Sequence, residues 1–294
     1  MSASHAARLR SLLREQPMLT APGAYDAITA RLVVQAGFPV VYMTGAGTAA
    51  TLGFPDYGLI TATEMVDNAA RLVRAADAPV ISDGDTGYGN ELNVVRLVQD
   101  HARAGTAGIH IEDQVHPKKC GHLDDKQIVP REEWLAKIRA AVAARPDPDF
   151  VVIARTDSRA VAGFEEAVAR CNAALAAGAD IAFLEAPQTM EEVASVPKRV
   201  NGPCLYNLVK AGKSPDVGLD DAQALGYRLV IVPGLLFKTV MKAGDAALAT
   251  LKQTRRHPEV GGLTVRDAFA RVGAAEWDRY RTMFRADAPR EAAE

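Results

Sequence analysis

The chain is predicted to fold as an α/β protein of the (β/α)8, or TIM barrel, class, and two observations predict it. First, a helical stretch closing on Gly is followed by a short apolar run that finishes in polar or charged residues. The unit recurs as Ala36-Gly37 before 40–43, Ala104-Gly105 before 108–111, Ala177-Gly178 before 181–184 and Leu225-Gly226 before 229–232. Glycine suits the left-handed residue that closes a helix, and an uninterrupted apolar run suits a parallel strand buried on both faces. Second, further runs at 18–21, 79–82, 150–154 and 203–206 bring the strands to eight, alternating with eight helices over roughly 230 residues. A doubly wound open sheet shares this alternation and is the alternative.

Taken in order, residues 1–16 form an amphipathic helix carrying Arg8, Arg10 and Arg14. The repeat helices are expected at 26–36, 61–76, 91–104, 131–144, 163–177, 189–196, 219–225 and 235–252. Thr63 with Glu64 and Asn90 with Glu91 supply helix-start chemistry. From His257 the repeat stops. Thr264 caps a helix bearing Val265, Phe269 and Val272, and a second helix carries Trp277, Tyr280 and Phe284. Those apolar positions need a partner surface, either their own barrel or a neighbouring subunit. The expected division is therefore a barrel with its N-terminal helix at 1–255 and a helical extension at 256–294.

Composition narrows the function. In 294 residues, 34 Lys and Arg stand against 36 Asp and Glu, a net charge of −2 that argues against a nucleic-acid surface. No apolar run approaches the roughly 20 residues that span a bilayer, and the first 16 lack a signal peptide's apolar core. Three cysteines, Cys120, Cys171 and Cys204, form no disulfide framework. The expectation is a soluble cytoplasmic protein.

In a barrel, functional groups lie at the C-terminal ends of the strands. Here those ends carry Thr44-Gly45-Ala46, Asp83-Gly84-Asp85, Glu112-Asp113, Arg155-Thr156-Asp157, Glu185 and Asn207. Asp83, Asp85 and Glu112 make an all-oxygen cluster suited to Mg2+, with Mn2+ as an alternative. Zinc is disfavoured, because Cys120 and His122 have no second pair at ligand spacing. A calcium loop at 83–94 fails, since Gly87 and Val94 stand where oxygen ligands are needed. Gly45-Ala46-Gly47 imitates a dinucleotide fingerprint without its downstream acid, and the stretch 53–58 reads as loop instead of helix. Thr44, Gly45 and Ala46 are instead expected to offer backbone N–H groups to an anionic substrate.

The connection 113–126 is polar and Gly-bearing, the composition of a mobile lid. Its Cys120, flanked by Lys118, Lys119 and His122, is expected to sit in positive potential that lowers its pKa. Cys171 and Cys204 read as core fillers. No Lys ends a predicted strand, so a Schiff-base aldolase is disfavoured and enolate charge falls to the metal and Arg155.

The segments Lys118-Lys119-Cys120-Gly121-His122, 83–89 (Asp-Gly-Asp-Thr-Gly-Tyr-Gly) and Ala154-Arg155-Thr156-Asp157 resemble the isocitrate lyase/phosphoenolpyruvate mutase superfamily, over about residues 5–285. The resemblance implies a (β/α)8 barrel, Mg2+, a small 2-hydroxy or 2-oxo acid substrate, and a homo-oligomer. That oligomer is a tetramer arranged as a dimer of dimers, often exchanging a C-terminal helix. A lid cysteine resembles the carbon–carbon lyases acting on isocitrate, 2-methylisocitrate or 2-alkylmalates. The alternatives on the same barrel are an oxaloacetate decarboxylase or a phosphonate-type mutase, and, outside catalysis, a small-molecule binder. Leu123 stands where the tricarboxylate lyases carry Arg, which favours a dicarboxylate, and Lys210 stands where a related motif has Glu.

On that basis Asp83, Asp85 and Glu112 hold the metal directly or through water. Arg155 and the Thr44-Gly45-Ala46 loop orient the 2-oxo acid end, and Tyr42 is the candidate base, with Asp56 or a metal-linked water as rivals. Cys120 protonates the carbanion, its thiolate stabilised by Lys118 and His122. Gly121, Glu185, Asn207 and Ser214 complete the substrate contacts.

Overall fold

The computed structural model describes residues 3–259 and 261–285. Met1, Ser2, Val260 and the stretch 286–294, parts of the expected first helix and extension, lie outside the described residues. The strands are β1 (Leu19–Ala24), β2 (Val41–Met43), β3 (Val80–Asp83), β4 (Gly108–Glu112), β5 (Val151–Thr156), β6 (Ile181–Leu184), β7 (Cys204–Asn207) and β8 (Leu229–Val232). They form a closed barrel in sequence order, with every neighbouring pair parallel. β8 returns to β1 with Leu19 opposite Leu229, so the open-sheet alternative is excluded.

Helix α1 (His5–Glu15) precedes the barrel, and α2 (Ala27–Gln35) follows β1. Helices α3 (Gly45–Thr51) and α4 (Ala62–Ala76) follow β2, while α5 (Glu91–Arg103) and α6 (Arg131–Ala144) follow β3 and β4. Next come α7 (Arg159–Ala162) and α8 (Phe164–Ala176), α9 (Met190–Arg199), α10 (Leu219–Leu225) and α11 (Leu235–Thr254). Helices α12 (Val265–Arg271) and α13 (Ala274–Met283) come last. One compact unit runs to Val240 and a second begins at Met241. Within the second, Thr264 and Asp267 cap α12 reciprocally, and Val265, Phe269, Trp277, Met283 and Phe284 are exposed.

Three helices depart from expectation. The glycine stretch after β2 turns directly into α3, because the Thr44 hydroxyl accepts the Gly47 N–H and a Cβ at Gly47 would strike Tyr25. The loop begins only at Gly53. Helix α7 is a single short turn between β5 and α8. Helix α9 runs through Pro197 to Arg199. Proline cannot donate to the carbonyl four residues back, and the Tyr227 hydroxyl supplies that bond to Val193 at 2.9 Å.

Alternate strand residues point inward and form one buried cluster: Leu19, Ala21, Tyr42, Ile81, Val151, Ile153, Ile181, Phe183, Leu205, Leu229 and Ile231. Leu9 of α1 belongs to the same cluster, with Leu12 and Leu13 packed against it, so α1 plugs the N-terminal end of the barrel. The opposite end opens to the βα loops.

Candidate active site

Asp83, the last residue of β3, is the most heavily bonded carboxylate of the mouth. Its oxygens accept the N–H groups of Gly45 (3.1 Å) and Asp85 (3.0 Å) and the Tyr42 hydroxyl (3.3 Å), with His110 Nε2 at 3.4 Å. Burial pushes its pKa up, but His110, Lys118 and Arg155 outweigh that and hold it well below the usual carboxylate range. Burial also raises Tyr42 well above a normal phenol, reinforced by Asp83. Tyr42 therefore keeps its proton and donates, against its expected role as base. Gly45 gives its N–H to Asp83 and Thr44 gives its own to the Ala24 carbonyl (3.0 Å), which corrects the anion-loop expectation at those two residues. A Cβ at Gly45 would collide with the same carboxylate.

Lys118 is buried between Asp56 (2.5 Å) and Asp85 (2.8 Å). Burial alone would lower its pKa, yet Asp85 and Asp56 drive it well above the normal ammonium value. Tyr88 donates to the other Asp85 oxygen at 2.8 Å. Glu112 is fully buried, with Arg155 Nη1 3.1 Å from Oε2. Neither Glu112 oxygen accepts a well-formed hydrogen bond among the described residues, and desolvation raises its pKa. Among the described residues, no three His, Cys, Asp or Glu side chains gather closely enough to enclose a metal ion by themselves. The expected trio Asp83, Asp85 and Glu112 is thus no closed ligand set, because hydrogen-bond donors engage Asp83 while Lys118 and Arg155 neutralise its neighbours. What remains is hard-oxygen donors with unfilled capacity. That fits an ion held by one or two carboxylates and several waters.

Arg155, at the end of β5, is the hub of the opposite wall. It reaches Asp157 through Nε (2.9 Å) and Nη2 (3.3 Å), Glu112 through Nη1, and Glu185 at 3.7 Å. Its guanidinium also lies over the Phe183 ring at 5.2 Å. Asn207 donates to both oxygens of Glu185, at 3.3 and 3.1 Å.

The lid is docked onto this frame. The Cys120 N–H donates to the Asp56 carbonyl at 3.1 Å, and Gly121 sits so close to Glu185 and Arg155 that a Cβ there would clash with both. His122 Nδ1 accepts from the Lys213 N–H at 3.0 Å, leaving Nε2 3.3 Å from Glu185. Burial lowers the His122 pKa, so the ring is a neutral acceptor at Nδ1. Burial raises the Cys120 pKa, reinforced by Asp56, and the positive-potential expectation is overturned. The flanking charge is simply elsewhere: Lys118 is engaged by Asp56 and Asp85. The Ser214 hydroxyl is buried without a hydrogen-bond partner among the described residues, and its neighbour Lys213 lines the cavity.

The cavity at the mouth measures about 440 Å3 and is lined by Tyr42, Thr44, Ala46, Asp56, Asp83, Cys120, Gly121, His122, Arg155, Glu185 and Asn207. Lysines 213 and 238 line it too, and neither was singled out from sequence. A second network also went unread. Asp113 accepts from the Thr156 hydroxyl (2.5 Å), the Asp157 N–H (2.7 Å) and Arg170 (3.0 Å), and burial raises its pKa to about 6. An acid one residue beyond a strand end was the only available signal.

A family profile described as phosphoenolpyruvate phosphomutase matches residues 9–252. The 2,3-dimethylmalate lyase of Eubacterium barkeri is 47% identical over 81% of this chain and 83% of its own length. The chain belongs to the phosphoenolpyruvate mutase/isocitrate lyase superfamily. A 2-methylisocitrate lyase of Aeropyrum pernix is 42% identical over 83% of this chain and 79% of its own. The crystal structure of a 2,3-dimethylmalate lyase from this superfamily superposes with a TM-score of 0.92 at 37% identity, covering 100% of both chains. A phosphonopyruvate hydrolase structure solved with oxalate and Mg++ gives a TM-score of 0.86 at 28% identity, over 96% of this chain and 99% of that one. The superfamily resemblance seen in the lid and strand-end motifs is thus borne out along most of the sequence.

Proposed function

We propose that this chain is a divalent-metal-dependent carbon–carbon lyase. It cleaves a 2-hydroxy acid, either a 2-alkylmalate dicarboxylate or a tricarboxylate of the 2-methylisocitrate type, into a 2-oxo acid such as pyruvate and a carboxylic acid. One observation carries the reading: Cys120 lines the same cavity as Arg155 and Asp83.

Asp85 and Glu112 would hold the metal, Mg2+ or Mn2+, with Asp83 behind them through its bonded frame. When bound, the ion supplies positive charge for the oxygen of the forming 2-oxo acid. Arg155 orients the acid's carboxylate, with Thr44 and Ala46 beside it. The base that takes the hydroxyl proton is Asp56, a cavity-lining carboxylate whose pKa is raised by burial and restrained by Lys118. As the C2–C3 bond breaks, its electron pair stays on the carbon next to the second carboxylate. Cys120 delivers its proton to that carbon. A thiol with a raised pKa is in the acid form at neutral pH, which the step requires. His122, Gly121, Glu185 and Asn207 shape the pocket for the second product. Leu123, where tricarboxylate lyases carry Arg, favours a dicarboxylate.

The apolar residues exposed on α12 and α13 support a homo-oligomer, expected as a dimer of dimers. Free cysteines support a cytoplasmic setting, and no described helix is long and apolar enough to cross a membrane. The decisive assay follows pyruvate or glyoxylate release across 2-alkylmalates, 2,3-dimethylmalate, methylisocitrate, isocitrate, malate and oxaloacetate. Cys120→Ser should lower cleavage by at least about 100-fold. Full turnover by that variant, or activity confined to oxaloacetate, would overturn the lyase reading.

A further inference from the structure

We infer that Lys126 is a positioning residue: it latches the closed lid and ties Cys120 and Arg155 to one carboxylate. This deepens the lyase reading and rests on it.

The two legs of the lid are zipped at their roots. Gln114 bridges Ile128 in antiparallel fashion, the Val115 N–H reaches the Gln127 carbonyl at 2.8 Å, and the Val129 N–H reaches the Asp113 carbonyl at 2.9 Å. Arg170 of α8 grips both roots, donating to the Val129 carbonyl and to Asp113, each at 3.0 Å. Roots held this firmly leave the tip, around Cys120, as the part that needs its own fastening.

Lys126 provides it. Its ammonium donates to the Gly121 carbonyl, immediately after Cys120, and lies 2.7 Å from Asp157 Oδ1. The side chain is 1% exposed and Asp157 is fully buried. Asp157 also receives Nε and Nη2 of Arg155. One buried carboxylate is therefore shared by a cation from the barrel and a cation from the lid. Lys126 adjoins the zipped root at Gln127, so lifting the tip would pull the Gly121 carbonyl off an ammonium that stays buried on Asp157, and would leave a donor of that buried cation unpaired, which is unfavourable. One ammonium thus spans from the lid tip beside the proton donor to the carboxylate that also holds the Arg155 guanidinium.

The test uses the full chain with Lys126→Met, and Lys126→Gln as the variant that keeps a donor should the first fail to fold. The first readout needs no substrate: alkylation of Cys120 by iodoacetamide, followed by mass spectrometry of its peptide. Cys171 and Cys204 are buried and serve as internal references. Loss of the latch should speed Cys120 labelling by at least about tenfold, a modest conformational coupling, while the reference cysteines stay protected. The second readout is turnover, where kcat should fall about 100-fold, the size of a small misplacement, with KM changed far less. Wild-type labelling rates in a folded variant would overturn the latch. Absence of wild-type turnover on every acid tested would instead overturn the lyase reading and leave the labelling result to decide the latch.

Discussion

The two ends of the barrel are built from the same parallel strands and solve opposite problems. At the N-terminal end, Leu9 is fully buried against Leu19, Ile181, Leu205 and Leu229, and ion pairs such as Arg10 to Asp180 (2.8 Å) lie at the partly exposed rim. At the C-terminal end, Asp83, Asp85, Glu112, Lys118, Arg155, Asp157 and Glu185 are all buried. Burying a leucine stabilises a fold by about 1.5–3 kcal/mol. Burying a charge costs stability unless a partner compensates it. The closed end rests on apolar burial, and the open end holds buried charges that compensate one another, as Lys118 does with Asp56 and Asp85 and Arg155 with Glu112 and Asp157.

That contrast can be broken most severely at Asp85. Asp85→Ala should lower lyase turnover by about 1000-fold, the upper range for a lost electrostatic group. Calorimetric titration of Mg2+ should show binding lost while circular dichroism stays native. Unchanged Mg2+ affinity would place the ion elsewhere.

At the other end Leu9→Ala should cost about 2–5 kcal/mol in denaturant unfolding, because it opens a cavity in the interior cluster. Its kcat at a permissive temperature should stay within twofold of wild type, roughly the scale of a change that does not touch the reacting groups. A collapse of kcat in folded protein would erase the division between the ends.

A finer probe is the pH dependence of Cys120. Only the thiolate alkylates, and burial beside Asp56 disfavours that form. Labelling of Cys120 should therefore rise with pH to a midpoint above that of a free thiol. A midpoint below it would restore the electropositive lid that the Lys118-Lys119 pair suggests in one dimension.

The smallest effect is expected at the rim of the closed end. Arg10→Ala removes pairs to Asp149 and Asp180 where the side chains are partly solvated. It should shift stability by about 1 kcal/mol or less. A larger loss would show that this rim bears as much of the fold as the plug does.

The barrel was legible because its signals are local. Strands buried on both faces must be apolar runs, and helices ending in αL need a glycine, as at Gly105, Gly178 and Gly226. Helix α3 escaped because Gly45-Ala46-Gly47 has poor intrinsic propensity and forms on a Thr44 cap packed against Tyr25. Within the site, the identity of the mouth residues was readable from strand ends, whereas their pairing was not. Lys118 stands two residues before Cys120 yet serves Asp56 and Asp85, from loops 62 and 33 positions away.

What the sequence alone determined, then, is the order of strands and helices and the set of ionisable groups at the barrel mouth, since both follow from patterns within a few residues. What only the tertiary structure decided is the protonation and partnership of those groups: Tyr42 as donor, Cys120 as protonated thiol, Lys126 on Asp157. Desolvation and Coulomb attraction depend on burial and on distance through space, and neither is written in the spacing along a chain.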